Sequence, residues 1–548
     1  MKLCISPQQV PPFTAHYPQC YPLLTTTKGG VAMRAIYSVG LEGSQGHIVT
    51  IEARIREEKE NVVIVGLPDA TLKESRERVM SALHALILDL TMIKVTIQLF
   101  PSDRQEQGTG FDLAMALAVI DRINKRPLPI GPETCVLASI NLYGALMPFH
   151  GLLPSINQAR KLGFKRILVP AGPNYSLFPK DDIELVELED ITQTIQYLNG
   201  QPILRLTEPE PLPQPEADDS FTVDFSAVRG HQEAKKVLEI AAAGGHHVLF
   251  TGPPGCGKTM LAEAFHTILP NLTEEEVLDV HNTYLLAKQD RPITKRPPYR
   301  HPHHSASAMS LIGGGTYPKP GEISLADRGV LFLDELGEFS RKTLDMLRQP
   351  MESGTVEISR VKQAVRYPAN FILISATNPC PCGYHGSHQR YCSCSASQVR
   401  NYQLKASGPL NDRLDFIMSL KSTGILDDGA GKTSKVIRER TTTARKQQQL
   451  RYNGKYLNGN APAKLVFDSC QATPKQIETI NDACYENKCI NRTQLKLIRI
   501  ARTISDLEGT YGLTDESIEF AVNYRKLMPT PGDANVSEEG GEVTSLEE

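Results

Sequence analysis

Gly252-Pro253-Pro254-Gly255-Cys256-Gly257-Lys258-Thr259 is the stretch from which this chain is best read. It satisfies G-x-x-x-x-G-K-[ST], and it stands between the apolar run His247–Phe250 and the helical pattern Met260–Ile268. That is the context a phosphate-binding loop needs, a strand delivering the chain and a helix carrying it away. The glycines let backbone N–H groups curl around phosphate oxygens, and the helix turns the positive end of its dipole toward them. Lys258 then reaches the β- and γ-phosphates of ATP, and Thr259 offers a hydroxyl to Mg²⁺. Cys256 reads as a passive member of the loop, although a low-pKa thiol at a helix N-terminus would be open to alkylation. A second glycine cluster, Gly429-Ala430-Gly431-Lys432-Thr433, has Leu426 where the frame requires its first glycine and follows no strand, so it reads as a loop.

Downstream, Val330-Leu331-Phe332-Leu333-Asp334-Glu335 is an apolar strand that ends in two carboxylates. Asp334 suits the holding of Mg²⁺, and Glu335 suits the orientation or deprotonation of an attacking water. A third apolar run, Phe371–Ala376, delivers Thr377 and Asn378 at its C-terminal end, where open α/β sheets place ligand-contacting polar groups. Asn378 is the candidate for positioning that water.

The rest of the composition is ordinary for a globular protein. The 548 residues are 40% hydrophobic and 22% charged, which at roughly 150 residues per domain implies about three or four domains. The longer apolar runs, such as Ala114–Ile120 and Val330–Leu333, fall far short of the ~18 to 20 residues that span a bilayer. Pro7, Pro11 and Pro12 interrupt the N-terminal stretch before any apolar core of a secretory signal, so a cytoplasmic location and no membrane partner are expected. The net charge of −3 points to no polyanion partner, so such a site must be a local basic patch.

The chain reads as an α/β multidomain protein. Residues 1–30, rich in Pro and Thr, read as a disordered leader. Residues 31–205 read as an α/β domain, with strands at Ile48–Ile51, Val62–Val65, Val95–Leu99 and Ile167–Val169 and helices at Thr71–Leu86, Phe111–Ile120 and Leu153–Leu162. Residues 206–220 hold Pro209, Pro211, Pro213 and Pro215 among acids, which marks a stiff linker. Residues 221–420 form the nucleotide-binding α/β domain, 421–528 a helical segment, and 529–548 an acidic disordered tail.

Eleven cysteines in a reducing compartment read as metal ligands, reactive thiols or small core residues rather than disulfides. Four of them, Cys380, Cys382, Cys392 and Cys394, form C-x-C-x₉-C-x-C, with His385 and His388 between the pairs. Four thiolates could converge on a structural Zn²⁺ and staple the insert 380–394; reduced free thiols and a redox pair are the other readings.

Taken in order, the Gly-Pro-Pro-Gly-Cys-Gly-Lys-Thr loop, the Leu-Phe-Leu-Asp-Glu strand, Ser375-Ala376-Thr377-Asn378-Pro379-Cys380-Pro381-Cys382 and Ser407-Gly408-Pro409-Leu410-Asn411-Asp412-Arg413-Leu414-Asp415 resemble the ComM/YifB-type, magnesium-chelatase-like AAA+ ATPases. Arg300-His301-Pro302-His303-His304-Ser305, Gly313-Gly314-Gly315 and Pro320-Gly321-Glu322 extend the likeness, which runs from about Arg34 to Met528. The resemblance implies a central AAA+ P-loop domain and a C-terminal helical lid. It makes Arg413 the arginine that one subunit inserts into its neighbour's site and Arg492 the lid arginine that reads the γ-phosphate. Hydrolysis would then need a homo-oligomeric ring, by family analogy a hexamer. Asn411 stands where the family has Leu, and Lys496 where it has Arg, which is not an equivalent cation.

Further segments extend the likeness. Ile64-Val65-Gly66-Leu67-Pro68-Asp69, Glu74-Ser75-Arg76-Glu77-Arg78 and Gly108-Thr109-Gly110-Phe111-Asp112-Leu113 make the N-terminal domain similar to the ribosomal-S5-like fold of the Lon protease domain. Gly110 and Phe111 stand where Lon-type proteases carry their serine, so peptide hydrolysis has no attacking group and the domain is expected to recognise a protein partner or substrate. The His301–His304 and Gly313–Gly315 region lies where such rings carry pore loops; an ordinary polar loop and a histidine metal site are the alternatives. Lys432, Lys435, Arg438, Arg440, Arg445, Lys446, Arg451 and Lys455, opposed only by Glu439, form a basic stripe able to neutralise phosphates, with a solvated helix face as the alternative. ComM-type members are helicases that migrate DNA branches as transforming DNA is integrated, so DNA is the expected substrate. The other function class is protein remodelling, as by the magnesium-chelatase motor subunit.

Overall fold

In a computed structural model of the protein, the described residues are 35–66, 69–86, 90, 92–101, 110–124, 127–172, 175, 177–178, 182–203, 223–315, 318–360, 363–386, 390–406, 410–421, 431–486 and 491–526. The expected leader, Pro-rich linker and acidic tail lie outside them, as do Gly429 and Ala430. The chain divides into two compact units, Met1–Leu212 and Pro213–Glu548. Among the described residues no helix is long and apolar enough to cross a membrane.

The first unit is built on a seven-stranded mixed sheet. Its order is Asn61–Val65, Ile93–Phe100, Gln45–Glu57, Ile36–Glu42, Thr134–Val136, Arg166–Pro170 and Glu184–Leu188. Ile36–Glu42 and Gln45–Glu57 form an antiparallel hairpin, while the outer pairs are parallel. The helices Asp69–Ala85, Asp112–Ile123 and Leu152–Lys161 fall where the helical period places them. Ile51, Ile97, Leu99, Val79, Leu83 and Leu113 fill the core. Asp112 is buried at the start of its helix, accepting from Arg78 Nε at 2.7 Å and Ser139 Oγ at 3.0 Å. The ring of Phe149 fills the space where a side chain at Gly110 would stand.

The second unit contains a five-stranded sheet in the order Tyr299–Arg300, Val330–Leu333, Ile372–Thr377, Val248–Thr251 and Phe416–Ser419. Every pairing in it is parallel. Helices cover both faces, which explains why its strands are continuous apolar runs rather than alternating ones. Val330–Leu333 is buried throughout, and so is Ile372–Thr377. The strand Phe416–Ser419 and the hairpin Thr355–Arg360 with Gln363–Pro368 were not visible in the sequence pattern. Gly431–Thr433, the described part of the second glycine cluster, is loop leading into the helix Ser434–Arg451.

Among the described residues five helices follow, Ser434–Arg451, Ala463–Ser469, Pro474–Glu486, Asn491–Leu507 and Asp515–Lys526. They share one core with Gln232–Gly244, a helix of the nucleotide domain, through Ile437, Leu497, Ile500, Val237 and Leu238. A buried polar knot ties the two parts together. His246 stands 3.3 Å from Asp415 through Nδ1 and 2.8 Å from Thr503 Oγ1 through Nε2. Asn458 Nδ2 donates to Thr503 at 3.1 Å and to Asp506 at 2.9 Å, and Asp506 also takes Arg451 and Arg502. Buried charges survive only where partners surround them, so this knot fixes one packing of the helices on the sheet.

Candidate functional site

Parallel register brings the functional residues to one edge. Thr251 pairs with Thr377 and Leu333 with Ser375, so the P-loop, Asp334, Glu335 and Asn378 all leave the sheet at its C-terminal side. Ligands bind there in open α/β sheets. Gly257 caps the helix Lys258–Thr267 at φ 87°, and Gly255 turns at φ 78°, so both need glycine's left-handed freedom. Gly252 is required for closeness instead, since a Cβ there would lie 2.7 Å from the Leu420 carbonyl oxygen.

Lys258 donates its Nζ to the carbonyls of Gly252 at 2.7 Å and Pro253 at 3.0 Å and to Asn378 Oδ1 at 3.1 Å. Three acceptors thus use all three ammonium hydrogens. Burial lowers the Lys258 pKa, opposed by the nearby Cys256, Asp334 and Glu335. The Cys256 thiol is buried, and burial pushes its pKa up against the opposing pull of Lys258, the opposite direction from a low-pKa thiol.

Thr259 Oγ1 donates to Asp334 Oδ2 at 3.2 Å, and the Glu335 N–H donates to Asp334 Oδ1 at 2.8 Å. A hydroxyl and a carboxylate oxygen side by side are the hard donors that Mg²⁺ takes, so these residues fit the ion. Glu335 adopts φ 50°, a conformation that a non-glycine residue adopts only when its surroundings hold it there. Its carboxylate is turned to the histidine segment, where Oε2 lies 3.2 Å from His304 Nδ1. Sequence reasoning assigned His301–His304 to a pore-facing region and missed this contact with the acid. The doubled histidine after Pro302 was the available signal.

The glycine stretch Gly313–Gly314 pairs antiparallel with Lys319–Pro320 as a small hairpin. Arg413 sits in the turn Asn411–Arg413, with Nη2 2.8 Å from Glu352 and Nε donating to the Arg348 carbonyl at 3.2 Å. Arg492 opens the helix Asn491–Leu507, and its side chain lies outside the described residues. On the same helix Lys496 donates to the Leu414 carbonyl at 2.5 Å, next to Arg413.

All four clustered cysteines converge. Sγ separations are 3.3 Å for Cys380–Cys382, 3.7 Å for Cys380–Cys392 and 3.5 Å for Cys382–Cys392, and Cys394 completes a set within 4.8 Å. A tetrahedron with Zn–S bonds of ~2.3 Å has S···S edges of about 3.8 Å, so the four thiols fit that ion. His385 contributes its backbone N–H to Cys380 Sγ at 3.3 Å, and His388 lies outside the described residues. The knuckle rests on the nucleotide loop, for a Cβ at Gly383 would come 2.7 Å from Pro254 Cδ.

The basic stripe does not present one free face. Arg440 pairs with Glu239 at 2.8 Å, Arg445 donates twice to the Ala242 carbonyl, and Arg451 belongs to the Asp506 knot. Lys432, Lys435, Lys446 and Lys455 are exposed.

Comparison with known sequences decides the lineage. Residues 224–425 match the family described as magnesium chelatase, subunit ChlI; 51–173 match subunit ChlI of Mg-chelatase, and 431–525 match its C-terminal family. The Competence protein ComM of Haemophilus influenzae is 36% identical over 516 residues, 91% of this chain and 98% of that protein. The chain belongs to the ComM/YifB family of magnesium-chelatase-like AAA+ ATPases. YifB of Escherichia coli is 35% identical over 496 residues, 87% of this chain and 94% of YifB. The Magnesium-chelatase 38 kDa subunit of Cereibacter sphaeroides is more distant, at 25% over 174 residues, 28% of this chain and 52% of that subunit. A ComM/YifB-type AAA+ domain implies ATPase activity with ATP and Mg²⁺.

Proposed function

We propose that the chain is an ATP-driven ring motor that acts on DNA, moving branches or unwinding strands during recombination of incoming DNA. One observation carries the hydrolytic part: the adjacent residues Lys258 and Thr259 hydrogen-bond Asn378 and Asp334 respectively at the strand ends, with the Glu335 N–H on Asp334. Likeness to Competence protein ComM along nearly the whole chain supports the DNA part; the chelatase family models also match three stretches of the chain, but the individual chelatase subunits match it directly over only 30% and 28% of its length.

In this reading the P-loop backbone N–H groups and Lys258 bind the triphosphate, and Lys258 exchanges its loop carbonyls for phosphate oxygens. Thr259 and Asp334 would hold Mg²⁺, which would supply positive charge to the phosphate oxygens. Glu335 accepts the proton of the attacking water and Asn378 fixes that water in line. Arg413 enters the adjacent subunit's site, where a fixed cation meets charge developing on the γ-phosphoryl. Arg492 reads the same phosphate from the helical lid. Residues 31–205 supply a ribosomal-S5-like module for partner recognition, and the glycine hairpin contacts substrate in the pore of a homohexamer. The four cysteines hold a structural zinc, and the protein works in the cytoplasm.

The test is the ATPase rate with and without branched or single-stranded DNA at two salt concentrations. Stimulation with salt-sensitive binding is expected. Absence of both points to protein remodelling of the chelatase-motor type and overturns the DNA reading.

A further inference from the structure

We propose that Tyr402 is a positioning residue that holds the turn after Glu335 against the end of the Asn378 strand and so aims the acid at the attacking water. The inference rests on the hydrolytic part of the reading above and adds to it the group that keeps the acid in place.

Glu335 needs support from outside its own turn. It heads the turn Leu336–Glu338 with φ 50° and ψ 48°, a conformation that a residue with a side chain keeps only under constraint from its surroundings. Its N–H donates to Asp334 Oδ1 at 2.8 Å, and its carbonyl accepts from the Glu338 N–H at 2.7 Å. Those bonds close the turn without fixing where it stands. Leu336, fully buried, anchors one side of it in the core. Tyr402 covers the turn at Gly337, where a Cβ would come 2.6 Å from Tyr402 Cζ and 2.8 Å from its hydroxyl oxygen. The ring therefore lies directly on the backbone two residues beyond the acid, an approach that glycine alone permits.

Tyr402 is itself fixed. It is 5% exposed. Burial, and after it the charge of Glu338, push its pKa up to about 12, so the hydroxyl keeps its proton as a hydrogen-bonding group between Glu338 and Thr377. Thr377 Oγ1 in turn donates to the Asn378 carbonyl at 3.3 Å. One side chain thus touches the turn that follows Glu335 and the strand end that delivers Asn378.

The helix Ala396–Ala406 that carries Tyr402 is bolted to the same strand end. Gln403 Nε2 donates to the Pro379 carbonyl at 3.1 Å. At the start of the helix the Ser395 N–H donates to Gln398 Oε1 at 2.9 Å and the Gln398 N–H to Ser395 Oγ at 3.3 Å, a reciprocal cap. That cap directly follows Cys394, so the cysteine knuckle and Tyr402 belong to one continuous segment. Without the ring the turn can relax, and displacing a catalytic group by about 1 Å costs on the order of 10²-fold in rate. The P-loop is left as it stands, so affinity for ATP is unaffected.

The experiment measures ATP binding and single-turnover hydrolysis in wild type, Y402L, Y402F and E335Q, and in Y402L and Y402F combined with E335Q. Y402L should slow hydrolysis about 10- to 100-fold at unchanged ATP affinity. Y402F keeps the ring on Gly337 and loses only the hydroxyl, so it should slow hydrolysis about fivefold, as for one lost hydrogen bond, and it carries the test if Y402L fails to fold. With E335Q there is no base left to aim, so neither substitution should slow the residual hydrolysis by more than about twofold. A role confined to packing would slow both backgrounds alike, and that result overturns the proposal, as does loss of ATP affinity in Y402F. E335Q hydrolysing at the wild-type rate overturns the assignment of Glu335 and the inference with it. A wild-type rate in Y402L and Y402F beside a slow E335Q overturns the inference alone.

Discussion

Asn378 Oδ1 accepts a hydrogen bond from Lys258 Nζ at 3.1 Å, joining the end of the middle strand to the first residue of the P-loop helix. The same amide is the candidate for holding the attacking water. Asn378→Ala should lower kcat on the order of 10²-fold, because a misplaced water loses its alignment. Affinity for ATP should fall by about tenfold or less, since one charge-assisted hydrogen bond is lost. Steady-state kinetics beside nucleotide titration separate the two effects, and an unchanged kcat removes Asn378 from the mechanism.

Glu335 stands at φ 50° with its N–H bound to Asp334. Glu335→Gln keeps that backbone and removes the proton acceptor. ATP should still bind, with turnover at least ~100-fold slower. Turnover at the wild-type rate would exclude Glu335 as the base.

Arg413 contacts Glu352 and the Arg348 carbonyl within its own chain, so its removal should leave nucleotide binding intact. Arg413→Ala should lower turnover by about 10³-fold or more if the guanidinium works in a neighbouring site. Mixing R413A chains with K258A chains, each inactive alone, should restore measurable ATPase, because a K258A subunit can lend its Arg413 to an R413A site. No recovery on mixing sinks the role between subunits.

Protein purified without chelator should carry about one zinc per chain, as expected for four converging thiolates, and Cys392→Ser should lose most of it. Equal metal content in both proteins eliminates the site.

His247 accepts the Leu373 N–H at Nδ1, 3.0 Å, and so must be neutral in the fold. Burial lowers its pKa from 6.5 to about 4, against the pull of Asp415. The sign follows from linkage: as pH falls from about 6.5 toward 4 the unfolded chain takes up a proton that the folded chain refuses, so stability is full above this window and lost through it. His247→Asn should remove that acid-side loss, on the order of 2–3 kcal/mol between pH 7 and 4. Denaturant unfolding of both proteins at the two pH values measures it, and parallel pH profiles refute the assignment.

Much of the molecule was legible in the sequence because its signals are local. The strand read as Val330–Glu335 appears as Val330–Leu333 with the two acids just past its end, and the predicted helix Phe111–Ile120 appears as Asp112–Ile123. The strand Phe416–Ser419 was not legible, since its sequence Phe-Ile-Met-Ser follows directly on the Arg413 turn without a motif to mark it. The basic stripe was legible as charge but not as contact: Arg440 and Arg451 are engaged by Glu239 and Asp506, acids far away along the chain.

The sequence by itself determined the phosphate loop, the acid pair and the paired C-x-C segments, since glycine freedom, strand-end carboxylates and ligand spacing are properties of contiguous residues. Only the tertiary structure decided which of these groups are neighbours. Parallel strand order set Asn378 against Lys258, and chain return through the histidine turn set His304 against Glu335. Packing placed the cysteine knuckle on Pro254. The physical reason is that sheet order and the pairing of buried polar groups are chosen by the free energy of the whole packed unit, in which no single segment carries the information.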